Sequence, residues 1–298
     1  MKIHIPVTDH ANFSFSECLV FLRRSDKECL HEVEGNTLHK VIVANGTPVL
    51  ATITHAPDKK GLAVEISPDV DGDMAANYIK NYITHWLHLD ADLHPFYTFA
   101  KKDKVLSPLI RQYKGLRLIG IPELFEALTW TITGQQINLS FAYTLKQRLI
   151  HAYGSSVVNN GRAYYVYPQP ATIAALEPAD LIAMQFSRSK ADYIISLARA
   201  MAEERLTLAH LQTLDYTAAR EYLISFKGIG NWSANYVLMK FSRFWQALPL
   251  EDAGLHNALK QQLQLPVKPS LAEIKAYTQH WQQHAAYATF YLWRSLQQ

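Results

Sequence analysis

The sequence predicts a small α+β domain followed by a larger all-helical body. Three observations carry that expectation. Residues 1–70 hold short β-branched runs punctuated by Asn-Gly and Ser-Pro. From Met74 the apolar residues change to a spacing of three and four. That helical spacing then continues to the C-terminus with brief interruptions.

In order along the chain, residues 13–24 place Phe15, Leu19 and Leu22 on one helical face. Residues 38–43, then Asn45-Gly46, then 49–53 read as a hairpin, because Asn-Gly supplies the two positive-φ positions of a tight primed turn. Residues 61–66 are expected as the next strand, closed by Ser67-Pro68. Ile79, Ile83, Trp86 and Leu87 form one helical stripe. A helix is expected over 122–133 with its proline near the first turn, and another over 139–153 ended by Gly154. The stretch 154–170, rich in Tyr, Asn and Pro, is expected as a long loop. Helices are then expected near 171–184, 188–205, 215–226, 231–243, 253–264, 270–284 and 285–297. No tandem repeat or low-complexity segment stands out.

At 298 residues the chain suffices for two or three packed units. It has no apolar run long enough to span a bilayer and no signal-peptide core at Met1–Pro6, so an intracellular, cytoplasmic protein is expected. The two cysteines, Cys18 and Cys29, suit a reducing compartment and are too few for a four-cysteine iron–sulfur cluster. A net charge of +3 permits a nucleic-acid partner without demonstrating one.

The most informative stretch is Ser225-Phe226-Lys227-Gly228-Ile229-Gly230-Asn231-Trp232-Ser233-Ala234-Asn235-Tyr236, with Asp252 shortly after it. Apolar residues on either side of the glycines read as two helices, the second capped by Asn231. A glycine turn that opens a helix leaves backbone N–H groups able to meet a phosphate oxygen. Asp252 precedes an amphipathic helix (Leu255, Leu259, Leu263), and as a lone residue it reads as an N-cap. That position also favours an ionised carboxylate. Trp232 and Tyr236 lie four apart and share a helix face, ordinarily a core pair.

Taken whole, residues 223–234 resemble the helix-hairpin-helix of DNA repair glycosylases, and Asp252 falls where that superfamily carries its catalytic aspartate. The resemblance is to the AlkA-type 3-methyladenine DNA glycosylases. Gly115-Leu116-Arg117-Leu118, Thr133-Gly134-Gln135-Gln136, Tyr287-Ala288 and Leu292-Trp293 recur in the same order, so it covers about 113–298. It implies an α+β domain at 1–96 and a helix-hairpin-helix glycosylase body at 97–298, divided into two helical subdomains. One subdomain would span about 123–243, including the hairpin at 225–235, and the other about 97–122 plus 244–298.

The resemblance also implies roles. Asp252 would stabilise an oxocarbenium-like sugar and direct water to it. Trp232, Tyr236 and Trp293 would line a pocket where a cationic alkylated base stacks. Gly228, Ile229 and Gly230 would hold the DNA backbone through main-chain N–H groups. Na⁺ or K⁺ on the hairpin carbonyls would be the only ion, with no organic cofactor. Gln136, beside Gln135, would enter the stack where the base is flipped, although the usual wedge is apolar. Bifunctional relatives place a lysine immediately after Gly-x-Gly-x, where this chain has Trp232, so a monofunctional enzyme using water is expected. The implied substrate is double-stranded DNA bearing 3-methyladenine or 7-methylguanine, with hypoxanthine and etheno-adenine as further candidates, and the expected state is a monomer.

Three rivals stand beside that expectation. An oxidised-purine glycosylase/lyase shares the domain order, and a non-catalytic helix-hairpin-helix module would bind DNA without releasing a base. The cluster His85, His88, Asp90, Asp92 and His94 offers five metal donors in ten residues, but its histidines lie on an amphipathic helix and its Asp-x-Asp reads as a helix exit.

Overall fold

The computed structural model describes residues 1–69 and 72–297. Its N-terminal part is a five-stranded antiparallel sheet. The strands are β1 (Lys2–Pro6), β2 (Glu32–Glu34), β3 (Thr37–Ala44), β4 (Thr47–Ala56) and β5 (Gly61–Ser67), in the order β1-β5-β4-β3-β2. The expected hairpin is β3–β4, paired from Leu38↔Ile53 to Ala44↔Thr47. Its two-residue turn has φ +51° at Asn45 and +79° at Gly46, the geometry that Asn-Gly favours. Leu38, Ile42, Ile53, Leu62 and Val64 are buried from one face of this sheet. Helix Asp73–Leu87 lies against β1 and β3 and contributes Ile79, Ile83, Trp86 and Leu87 to the same core, the stripe that periodicity marked.

The remainder is mostly helical. Helix Leu124–Thr133 is buried at all ten positions, and helix Ala285–Ser295 at all but Trp293. A helix buried on every side is a central one. Helix Asn231–Lys240 packs on the first of these and helix Ala253–Gln262 on the second, so the hairpin and the Asp252 loop are both anchored to the deepest parts of the fold. Gly115 has φ +89° with the Ser14 backbone close against it, and Arg117 is wholly buried, its guanidinium donating to the carbonyls of Asp9 and Ala91.

Several expectations need correction. The body is not all-α. The stretch expected as a loop at 154–170 contains β6 (Ser155–Asn159) and β7 (Arg162–Val166), paired antiparallel about Asn160-Gly161. This hairpin packs back on β3 and β4, Arg162 pairs with Glu32, and the rings of His39 and Tyr164 lie 6.1 Å apart. The run 171–184 is two short helices, Pro170–Ala174 and Pro178–Ala183, because Pro178 lacks the N–H that a continuous helix needs. Helix Leu208–Thr213 was not expected, and the helix expected over 270–284 ends at Thr278. β1 and β2 are edge strands whose short segments carry little periodic signal.

The N-terminal part is joined to the body by buried charge. Lys146 Nζ lies 3.0 Å from Glu28 and 2.8 Å from Glu126, and all three side chains are at most 10% exposed. Removing one partner of such a cluster costs about 3–5 kcal/mol, because it strands a buried charge.

Candidate active site

Asp252 is the N-cap of helix Ala253–Gln262, and its carboxylate also reaches two other elements. Oδ1 accepts from Leu255 N at 2.7 Å, the cap bond, and from Trp293 Nε1 at 2.7 Å. Oδ2 accepts from Trp232 Nε1 at 3.1 Å. Three N–H donors, one of them at a helix N-terminus, therefore face one carboxylate, an environment suited to negative charge. A capping role alone needs one of those donors. The two indoles come from helices Asn231–Lys240 and Ala285–Ser295, so the fold directs three separate elements at this side chain.

Gly254 permits that convergence. A Cβ there would lie 2.9 Å from Asp252 Oδ1 and 3.1 Å from both Trp293 Cδ1 and Nε1. Any side chain at 254 would press on the Asp252–Trp293 hydrogen bond.

Tyr236 stands between the indoles. Its ring centroid is 5.6 Å from that of Trp232, tilted 43°, and 5.7 Å from that of Trp293, tilted 33°. Trp130 Nε1 donates to the Tyr236 hydroxyl at 3.0 Å. Burial pushes the Tyr236 phenol up to about 12, so it stays protonated near neutrality. Tyr236 is buried, whereas Trp232 and Trp293 are partly exposed and give the cluster an open side.

The hairpin lies beside this cluster. Gly228 has φ +93°, and a Cβ on it would fall 2.6 Å from the Tyr193 ring. Gly230, not Asn231, is the N-cap of helix Asn231–Lys240, and no side chain caps that end. Asn231 instead accepts from Arg220 Nη1 and donates to Glu251 Oε1, both at 2.8 Å, tying the helix start to the Asp252 loop. Ile229 departs from expectation: its N–H donates to Phe226 O at 3.1 Å and its side chain is buried, so it anchors the turn. Gln135 reaches across to donate to Gly228 O at 3.0 Å. Gln136 is exposed at φ +57°, an uncommon conformation for a residue other than glycine. The Gln136 loop, the hairpin and the carboxylate are thus one hydrogen-bonded surface.

Comparisons with known proteins give these features a family. The model of the HhH-GPD superfamily of base excision DNA repair proteins matches residues 129–283, and that of the 8-oxoguanine DNA glycosylase N-terminal domain matches residues 9–128. The DNA-3-methyladenine glycosylase of Bacillus subtilis is 40% identical over 95% of this chain and 94% of its own length. This chain belongs to the HhH-GPD superfamily. DNA-3-methyladenine glycosylase 2 of Escherichia coli is 31% identical over 60% of each chain. The fold of this HhH-GPD protein is that of the 3-methyladenine DNA glycosylase from Archaeoglobus fulgidus, with a TM-score of 0.83 and 22% identity over 98% of this chain and 97% of that one. It is also that of the 8-oxoguanine glycosylase/lyase from Clostridium acetobutylicum, with a TM-score of 0.75 and 15% identity over 99% and 97%.

Neither lysine near the HhH-GPD hairpin faces Asp252. Lys227 Nζ lies over the Tyr193 ring at 5.8 Å, and Lys240 is 1% exposed with its ammonium on Ile119 O. Among the hairpin carbonyls, Phe226 O and Gly228 O each accept one hydrogen bond. A carbonyl oxygen has two lone pairs, so uncharged donors remain that fit Na⁺ or K⁺. Within the His85–His94 stretch, the side chains of His88, Asp90 and Asp92 are turned to other partners. Arg243 pairs with Asp90 at 2.8 Å, Asp92 caps His94 N, and His88 Nδ1 meets the Tyr287 hydroxyl at 2.9 Å. Among the described residues no three His, Cys, Asp or Glu side chains converge as a metal site, and no helix is long and apolar enough to cross a membrane.

Sequence reading missed Trp130 and Gly254. Trp130 sits in a helix buried all round, where nothing in spacing distinguishes a ring that supports Tyr236 from any other core residue. Gly254 offered a weak signal, being a glycine within the first turn of a helix.

Proposed function

We propose that this chain is a monofunctional DNA N-glycosylase of base excision repair that removes alkylated purines, 3-methyladenine and 7-methylguanine foremost, from double-stranded DNA. The observation that carries this reading is the Asp252 carboxylate, held by two indole N–H groups whose rings, with Tyr236, form the wall beside it. The Bacillus subtilis and Escherichia coli relatives are named for 3-methyladenine, which supports the same substrate class.

The hairpin N–H groups at Gly230 and the uncapped helix start hold the phosphate backbone, with Na⁺ or K⁺ on the neighbouring carbonyls. Gln136 fills the gap left by the flipped nucleotide, paying part of a few kcal/mol of lost stacking. The damaged purine stacks on Trp232, Tyr236 and Trp293. Contact between a cationic base and these rings contributes about 0.5–2 kcal/mol, more as water leaves. The C1′–N9 bond breaks with both electrons moving to the base, so an alkylated purine departs neutral. Asp252 stabilises the oxocarbenium ion. Water then adds its oxygen to C1′ and gives a proton to Asp252 and on to solvent, leaving an abasic site.

The N-terminal match to 8-oxoguanine glycosylases keeps a lyase as the second reading. A lyase needs an amine at C1′, and Trp232 occupies the position where one would stand. The test is base release from methylated duplex DNA with borohydride present. Free methylpurine without a covalent protein–DNA adduct supports the proposal, and a trapped adduct overturns its monofunctional part.

A further inference from the structure

Asn231 reads in the sequence as a helix cap, yet in the structure its side chain caps nothing. Its carboxamide joins three elements instead. Oδ1 accepts from Arg220 Nη1 of helix Tyr216–Ile224, and Nδ2 donates to Glu251 Oε1 of the Asp252 loop, both at 2.8 Å. Asn235, 3% exposed, donates from Nδ2 to the Asn231 carbonyl at 2.9 Å and to Oδ1 at 3.3 Å, while its own Oδ1 accepts from the Tyr216 hydroxyl. The partners fix which way the carboxamide faces. Its oxygen meets a guanidinium, which has donors only, and its nitrogen meets a carboxylate, which has acceptors only. Asparagine carries both functions on one short side chain. Aspartate would set carboxylate against carboxylate, and alanine would bridge nothing.

The bridge runs beside the reacting group. Asn231 immediately precedes Trp232, Glu251 immediately precedes Asp252, and Trp232 Nε1 donates to Asp252 Oδ2 at 3.1 Å. Two hydrogen bonds from consecutive residues therefore span the same helix start and the same loop. A single bond would leave the loop free to turn about it, and a second from the next residue removes that freedom. Glu251 is exposed, so its bond adds little to stability. Its effect falls on geometry, where a displacement of about 1 Å is enough to slow a reaction up to about 10²-fold.

We infer that Asn231 is a positioning residue, whose bond to Glu251 sets the separation between the strand-holding helix start and the Asp252 loop and so places the carboxylate against the sugar of the held nucleotide. This rests on the glycosylase reading above. It links the grip on the backbone to the chemistry: the helix start that holds the strand also fixes where the charge stands.

The test is single-turnover release of 3-methyladenine from duplex DNA, with affinity for a duplex carrying a stable abasic analogue and a thermal melt of each protein. The proteins are wild type, Asn231→Ala, Asn231→Asp, Glu251→Ala, Glu251→Gln and the double alanine variant. Each single alanine variant is expected to release base about tenfold more slowly. Affinity should change less than the rate, because the main-chain N–H groups remain. The double variant should be no slower than Asn231→Ala, since the same bond is removed once. Glu251→Gln keeps an acceptor for Asn231 Nδ2 and should recover most of what Glu251→Ala loses, whereas Asn231→Asp should recover nothing. Should Asn231→Ala melt early, the contrast between the two Glu251 variants decides the matter. Wild-type rates in both single alanine variants, additive losses in the double variant, affinity falling as far as the rate, or no recovery by Glu251→Gln overturns the inference alone. A wild type that releases no methylpurine overturns the glycosylase reading and this inference with it.

Discussion

Asp252→Asn separates capping from catalysis. Asparagine caps a helix as well as aspartate does, so the bond to Leu255 N survives at almost no cost in stability. The Oδ1 partner Trp293 is also kept if the amide oxygen takes that side. The amide nitrogen then faces Trp232 Nε1 across 3.1 Å, donor against donor, which costs about 1–3 kcal/mol. The larger effect falls on the reaction. A carboxylate about 4 Å from a positive sugar, at an effective dielectric near 20, contributes about 4 kcal/mol. Losing it slows the chemical step about 10³-fold. The assay is single-turnover release of 3-methyladenine from methylated duplex DNA, alongside the affinity for a duplex carrying a stable abasic analogue. The expected result is a rate down about 10³-fold with affinity changed only severalfold. A variant within tenfold of wild type would show that Asp252 is a cap and that the charge lies elsewhere.

Three other outcomes follow from the same geometry. Gly254→Ala gains up to about 1 kcal/mol of helix propensity, yet its Cβ presses on Asp252 and Trp293, so base release should fall at least tenfold with no loss of melting temperature; retained activity would mean the pair tolerates displacement. Gly228→Ala places a side chain at φ +93° against Tyr193, costing about 1–2 kcal/mol for the backbone alone, and should weaken binding to undamaged and abasic duplexes equally in a fluorescence titration. Burial lowers the His88 imidazole from 6.5 to about 3 in the folded chain. The unfolded chain therefore takes up the proton first as pH falls, and the stability from keeping His88 neutral is complete above pH 6.5 and lost progressively below it. At pH 5 the loss is about 2 kcal/mol, and buried His31, lowered to about 4, adds a loss of the same sign. Urea unfolding of wild type and His88→Gln at pH 7 and pH 5 checks this, the variant being expected to lose about 2 kcal/mol less.

Local chemistry made much of this protein legible from its sequence. Asn45-Gly46 marks a hairpin because few residues accept positive φ in succession, and the 79-83-86-87 stripe marks a helix because one face must meet the sheet. Glycines at 228 and 230 with Asp252 mark a site because turn and cap chemistry act within a few residues. The Asn160-Gly161 hairpin used the same signal, obscured by its polar surroundings.

What the tertiary structure alone decided is which distant groups meet. Beyond the local cap bond, two further N–H donors on one carboxylate come from residues 232 and 293, and the ring that supports Tyr236 comes from residue 130. Arg24 of the N-terminal part meets the Tyr143 hydroxyl of the body, 119 residues away. Periodicity and capping record what a residue does with its near neighbours. Contacts across a hundred residues or more are set by how buried helices pack, and no local pattern encodes that packing.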